Sequence, residues 1–300
     1  MTVPKTNVFI VGPARSGTSL LYRLLALNPQ VSFISNWNAR FPNVAAVSAL
    51  QRATRSSRRL RSNWFQADGN AYVYGQERPL WKRIIPAPAE GEPVFSAAGI
   101  LEDGSTTRPD SIEDLRYRIQ KISRLAGGTH FVNKRVANNQ RIPLIHEAMP
   151  DAHFVSIVRD GRPVALSLSR VDWWPTTKVV WAGVTPTQWA AQGNDPWELC
   201  AKNWVHDVEA IEQGLLTIPP DQQTSLTYES LVQDPAKQLT RLAESINLEI
   251  RESWIEEMGR INLPDHNEHW KAALSEDAIR VITEIQGDTL RRLGYLGTQS

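Results

Sequence analysis

The feature that most constrains this chain lies near its start. An apolar run, Val8-Phe-Ile-Val11, passes directly into Gly12-Pro-Ala-Arg-Ser-Gly-Thr-Ser19 and then into a helix-like segment, Ser19–Leu27. Consecutive backbone N–H groups at the head of a helix make a cradle for phosphate oxygens, and the strand before it fixes where that cradle sits. This context carries more weight than the glycines, since a Gly-rich turn capped by Ser or Thr needs no ligand. A nucleoside triphosphatase would end the loop in Gly-Lys-Ser/Thr, whereas here Gly17 is followed by Thr18 and the cation sits two residues earlier, as Arg15. An ordinary ATP or GTP hydrolase is disfavoured on that ground.

The alternation then repeats. Apolar runs at Thr129–Val132, His153–Val158 and Thr224–Thr227 are each followed within a few residues by a helix-like stretch. The clearest of these are Asn139–Met149, Arg162–Arg170, Asp195–Gln213, Glu229–Ile246 and Glu276–Leu293. Continuous apolar strands alternating with helices predict an α/β fold, a P-loop-type parallel sheet flanked by helices on both faces. Pro143 predicts a late start or a kink in the Asn139–Met149 helix. Two regions interrupt the rhythm: basic Gln51–Arg61, expected as a solvated helix, and Arg83–Arg108, rich in Pro, Gly and acidic residues, expected as a surface loop. Six of the eleven tryptophans lie between Asp172 and Trp204, where core packing of a helical insert is the expected use for most. With no internal repeat and no low-complexity linker, the expected organisation is one domain over residues 1–300, with substrate-side insertions at about 36–125 and 172–204.

A net charge of +1 provides no global field to recruit nucleic acid or anionic membrane, so any anion site must come from local cations. No apolar stretch approaches the roughly 18 residues of a membrane span, and the N-terminus lacks signal-peptide architecture. The single cysteine, Cys200, fits a reducing, cytoplasmic setting and reads as a buried structural thiol on a helix.

A second motif carries more information. In His153-Phe-Val-Ser-Ile-Val-Arg-Asp-Gly-Arg-Pro-Val-Ala-Leu-Ser167 a strand ends on Arg159, a turn follows at Asp160-Gly161, and Ser167 lies eight residues past the arginine on the next helix. A guanidinium fork suits a phosphate dianion, and a hydroxyl completes its shell. Together with the Arg15 loop, this pair resembles the sulfotransferases that use 3′-phosphoadenosine 5′-phosphosulfate (PAPS), in particular bacterial and tyrosylprotein sulfotransferases with an arginine in the loop. The resemblance covers about Asn7 to Asn247. It implies that Arg15 neutralises the phosphosulfate, that Ser16, Gly17, Thr18 and Ser19 hold the 5′-phosphate, and that Arg159 and Ser167 clamp the 3′-phosphate. Phe131-Val-Asn-Lys134 is similar to the family's Asn-Lys element, which places Lys134 near the leaving sulfuryl group, where an ammonium opposes developing negative charge. Thr227-Tyr-Glu-Ser-Leu231 looks like the family's Tyr-Glu-x-Leu segment, with Tyr228 near the nucleotide. Lys271 occupies a place comparable to a cationic element over the 3′-phosphate.

The general base departs from the family pattern. The position where tyrosylprotein members carry a glutamate falls on Asn36, and the histidine of cytosolic members is missing from Arg135-Val-Ala-Asn-Asn139. An amide cannot take a hydroxyl proton. Glu77, in Tyr74-Gly-Gln-Glu-Arg-Pro-Leu-Trp81, is the preferred base and His130 the second, since a carboxylate in an apolar cleft can be raised toward useful values and histidine starts near neutrality. Asn36, Asn38 and Arg40 are candidates to hydrogen-bond the acceptor. His266 and His269 are too weak a pattern for a metal site, and none is expected. The expected acceptor is a carbohydrate, glycolipid or small hydroxylated metabolite. The alternatives are a P-loop small-molecule kinase, opposed by the missing lysine, and a non-catalytic nucleotide-binding homologue, which the Asn36 replacement keeps open.

Overall fold

Successive side chains of a strand point to opposite faces, so an uninterrupted apolar run has to be covered on both. Val8 and Ile10 enter one core layer and Phe9 and Val11 the other. The computed structural model describes residues 6–55, 57, 60, 84–259, 267 and 269–297. Its strands are β1 (Thr6–Val11), β2 (Val31–Phe33), β3 (His130–Lys134), β4 (Ala152–Val158) and β5 (Gln223–Thr227), forming one sheet in the order β2-β3-β1-β4-β5. Every pairing is parallel, with Ile10 opposite Lys134 and Val11 opposite Ser156. All strands therefore end on the same edge.

The helices are α1 (Thr18–Ala26), α2 (Asn36–Arg40), α3 (Leu50–Arg55), α4 (Glu92–Ala97), α5 (Ser111–Ala126), α6 (Ile142–Ala148), α7 (Gly161–Ser169), α8 (Pro186–Ala191), α9 (Pro196–Leu215), α10 (Tyr228–Gln233), α11 (Pro235–Ser245), α12 (Glu252–Gly259), α13 (His269–Ala273) and α14 (Glu276–Arg292). Leu21, Leu24 and Leu25 of α1 and Leu239 and Leu242 of α11 cover one face of the sheet. On the other, Phe9 packs tilted against Phe131 and Phe154 beneath Leu115, Ile119 and Ile122 of α5. The α/β reading of the sequence is thus realised with helices on both faces.

Several local expectations are corrected. The Pro- and Gly-rich stretch expected as a surface loop contains α4, whose Val94 and Phe95 are fully buried together with Ile100. Its acidic residues concealed a short apolar core segment. The basic helix α3 is not simply solvated. Gln51 is buried, and its side-chain amide accepts from Phe33 N at 3.2 Å and donates to Phe33 O at 2.8 Å, supplying to edge strand β2 the bonds a further strand would make. Arg52 and Arg55 donate to the carbonyls of Arg124 and Ala126 at the C-terminal end of α5, where the helix leaves acceptors unpaired. The Glu229–Ile246 helix divides into α10 and α11 at Asp234-Pro235, because a residue before proline is driven out of the helical region and proline suits a first turn. The Asn139–Met149 helix begins only at Ile142, as Pro143 predicts. Of the clustered tryptophans, Trp174 and Trp204 are buried, and Trp181, Trp189 and Trp197 pack partly buried beside Cys200. Burial pushes the Cys200 thiol up to about 12, so it stays protonated.

Candidate active site

A parallel sheet presents the C-terminal ends of its strands on one edge, and ligands of such folds gather there, beside the strand from which the order runs both ways. Here that strand is β1. Gly12 follows it so closely packed that a Cβ there would lie 2.3 Å from Ile157 O. The loop then takes two left-handed positions, Arg15 at φ 68° and Gly17 at φ 86°. For arginine this costs about 1–2 kcal/mol, which the surroundings must supply. They do so from two sides. The Asn139 side chain accepts from Gly12 N at 2.9 Å and donates to Gly12 O at 3.1 Å. The Tyr228 ring lies flush against Gly17, where a Cβ would sit 2.5 Å from Tyr Cδ2. Ser16 and Thr18 are buried, and Ser16 Oγ finds no hydrogen-bond partner among the described residues. Ser19 is half-buried at the head of α1.

The second motif closes on this loop from the far side. Asp160 caps α7 by accepting from Arg162 N at 2.9 Å, and one helical face later Ser167 Oγ accepts from Arg15 Nε at 2.9 Å, a contact between residues 152 apart in sequence. Arg159 is buried. Its Nη1 donates to Arg15 O at 3.4 Å, its Nε to Asn267 at 2.8 Å, and its guanidinium lies 4.3 Å from the centroid of Tyr228. Glu229 secures the turn by accepting from Asp160 N at 3.2 Å and from Tyr295 OH at 2.9 Å. The Arg15 side chain reaches solvent but is flanked by protein on most sides. That desolvation, followed by repulsion from Arg159, holds its pKa below the ordinary arginine value. A loop cation and the Arg159 guanidinium that faces it repel each other, and with the orphaned Ser16 hydroxyl in the loop these are conditions that an anion relieves.

Lys134 ends β3 beside β1 and is also buried. Its Nζ pairs with Glu90 Oε1 at 2.5 Å, and Arg135 Nη1 takes Glu90 Oε2 at 2.5 Å. Arg135 continues to Glu92 and Glu102, and Arg141 meets Glu92 with both terminal nitrogens. Burial alone would raise the Glu90 carboxyl, but Lys134 and Arg135 outweigh it and lower it to about 2. The same pairing outweighs desolvation at Arg135 and raises its pKa. Sequence reasoning missed Glu90. The available signal was a pair of carboxylates flanking Gly91, just ahead of apolar Val94-Phe95, in a stretch dismissed for its composition.

The remaining candidates lie elsewhere or do structural work. His130 is corrected as a base: it opens β3 whereas Lys134 closes it, about 13 Å away at the usual rise per residue. Its Nδ1 and Nε2 already meet Thr129 Oγ1 at 2.9 Å and Ile246 O at 2.8 Å. Asn38 is corrected as an acceptor ligand, being buried in the capping box of Ser35 and bonded to Ser48. Asn36 binds backbone at Ile85 and Ala87, holding the segment that leads to Glu90. Arg40 is exposed, 5.7 Å from the Phe41 ring. Lys271 is exposed on α13, 5.9 Å from Trp270. Glu77 and His266 lie outside the described residues. Among the described residues no group of three His, Cys, Asp or Glu is placed to hold a metal, and no helix is long and apolar enough to cross a membrane.

Comparison with known proteins bears on this geometry. A family model described as "Sulfotransferase family" matches residues 7–252. The omega-hydroxy-beta-dihydromenaquinone-9 sulfotransferase Stf3 of Mycobacterium bovis, and the protein of that name from Mycobacterium tuberculosis, are 23% identical over 311 residues, covering 96% of this chain and 75% of theirs. Among solved structures, sulfotransferase STF9 from Mycobacterium avium superposes with a TM-score of 0.58 at 14% identity, covering 97% of this chain and 77% of that one. Sulfotransferase STF1 from Mycobacterium tuberculosis gives 0.55 at 16% identity, covering 94% and 77%. These two share the fold.

Proposed function

The chain belongs to the sulfotransferase family, and from that premise we propose that it moves the sulfuryl group of PAPS to an acceptor hydroxyl as a single domain, with segments 36–125 and 172–204 on the acceptor side. The supporting observation is the convergence of two distant segments on one loop: Arg15 bonds Ser167, and Arg159 bonds the Arg15 carbonyl while stacking on Tyr228. PAPS fits the donor set, being an anion at both ends, and it supplies an activated sulfuryl group. The loop amides and hydroxyls of Ser16 to Ser19, with Arg15, hold its 5′ end. Arg159 and Ser167, with Lys271 at the rim, take the 3′-phosphate. Lys134 opposes the negative charge that grows on the departing oxygen. Its pairing with Glu90 keeps the ammonium oriented until an anion competes for it.

For the general base we retain Glu77. Among the described residues, Glu90 is held as a carboxylate by two cations at a pKa of about 2 and is a poor proton acceptor, while His130 sits at the wrong end of its strand. The acceptor class remains a hydroxyl on a carbohydrate, glycolipid or small hydroxylated metabolite. The Mycobacterium relatives are named for a hydroxylated menaquinone, which supports a hydroxyl acceptor. The reading is tested by thermal shift with 3′-phosphoadenosine 5′-phosphate against ADP and AMP. The 3′-phosphorylated nucleotide should stabilise the fold far more, and Arg159→Ala should erase most of the difference. Equal stabilisation by ADP would overturn the assignment.

A further inference from the structure

Arg159 leaves the end of β4 on a turn that side chains from three helices hold. Trp204 Nε1 of α9 donates to Arg159 O at 3.2 Å, Glu229 Oε1 of α10 accepts from Asp160 N at 3.2 Å, and Gln286 Nε2 of α14 donates to Gly161 O at 3.1 Å. Three consecutive residues are thus fixed from outside their own strand and helix. The fit is close: a Cβ on Gly161 would lie 2.6 Å from Trp204 Cδ2 and would also meet Gln286 Oε1. Gln286 is fully buried, and its Oε1 has no hydrogen-bond partner among the described residues. A buried amide with one group unpaired costs stability relative to an apolar side chain, so its bond to Gly161 is what the position supplies. Beyond α14 the chain returns once more. Tyr295 OH donates to Glu229 Oε2 at 2.9 Å, and Tyr295 O accepts from Arg162 Nη2 at 3.3 Å, while Arg162 forks the Asp160 carboxylate. Asp160, Glu229, Tyr295 and Arg162 therefore close a ring of hydrogen bonds around the turn.

We infer that Gln286 and Tyr295, at the far end of the chain from the phosphate loop, are positioning residues for Arg159 and through it set the preference for a nucleotide carrying a 3′-phosphate. The inference rests on the proposed PAPS site. A guanidinium fork binds a phosphate by direction as well as charge, so the backbone from which Arg159 springs has to be fixed before the ligand arrives. Both residues act on one turn, so their effects overlap rather than add.

The test uses the full chain with Gln286→Leu, Tyr295→Phe and the double variant, reading the dissociation constants of 3′-phosphoadenosine 5′-phosphate and of AMP by calorimetry. The two nucleotides differ only in the 3′-phosphate. Both substitutions exchange neutral groups, so a change in preference cannot come from a charge added or removed. Gln286→Leu should weaken the 3′-phosphorylated nucleotide about fivefold to tenfold and AMP less than about twofold, and Tyr295→Phe should lower the ratio by about threefold. The double variant should lose less than the product of the single losses. A ratio that stays within about twofold of the parent in Gln286→Leu, or equal weakening of both nucleotides as general loosening of the fold would give, overturns the inference. If the leucine variant does not fold, a parent-like ratio in Tyr295→Phe overturns it. A parent chain that binds the two nucleotides equally overturns the PAPS reading and this inference with it, whereas a parent preference that the variants keep overturns this inference alone.

Discussion

Glu90→Gln is the perturbation for which the structure predicts most. The carboxylate is nearly covered and bridges two cations, Lys134 Nζ and Arg135 Nη1, each at 2.5 Å. Glutamine keeps the shape and an acceptor oxygen but leaves both cations without this partner. Lowering the carboxyl from 4.5 to about 2 corresponds to about 3 kcal/mol of preference for the ionised form in the fold, at about 1.4 kcal/mol per unit. Removing one member of a buried pair typically costs about 3–5 kcal/mol. The melting temperature should therefore fall by roughly 5–10 °C at pH 7. The pH dependence has a definite sign. A depressed folded-state pKa contributes stability that is fully present above the unfolded value near 4.5 and is lost as pH falls through about 2. The gap between parent and variant in urea unfolding should be full at pH 7 and 5, narrow at pH 4 and 3, and nearly close at pH 2. In the variant, 3′-phosphoadenosine 5′-phosphate should restore part of the lost melting temperature, since it supplies negative charge to the same edge. A gap below about 1 kcal/mol at pH 7, or one that does not narrow on acidification, would refute the argument by showing the pair to be screened by solvent.

Gly17→Ala places a Cβ 2.5 Å from the Tyr228 ring at a φ of 86°, so nucleotide binding should drop by at least tenfold in calorimetry, and Tyr228→Ala in the same background should relieve the steric part of the loss. Glu77→Gln should depress turnover by about 10²–10⁴-fold with nucleotide affinity unchanged, and an acceptor with a more acidic hydroxyl should partly rescue it. That acceptor should do little for Lys134→Ala, whose deficit is at the leaving group; parent-like turnover in Glu77→Gln removes that residue as the base.

What the sequence determined by itself is what local spacing can encode. Val8–Val11 running into Gly12 and Thr18 dictates a strand, a loop and a helix, because an apolar run of that length buries on both faces and the glycine at 17 tolerates the left-handed turn that starts α1. Arg159 and Ser167 share one side of the cleft because eight residues across a turn and two helical turns bring them there. Only the tertiary structure decided who meets whom across the sheet. Placing β1 between β3 and β4 is what carries Arg15 to Ser167 and sets Lys134 beside the loop, and no periodicity in 300 residues states that order. The same holds for Glu90, whose role comes from a partner 44 residues away. His130 shows the converse: it is a suitable chemical group four residues from Lys134, and strand direction alone puts it at the opposite edge. Residue type and spacing set the local conformation, whereas the burial and partners that decide ionisation and reach are set by the order in which the strands pack.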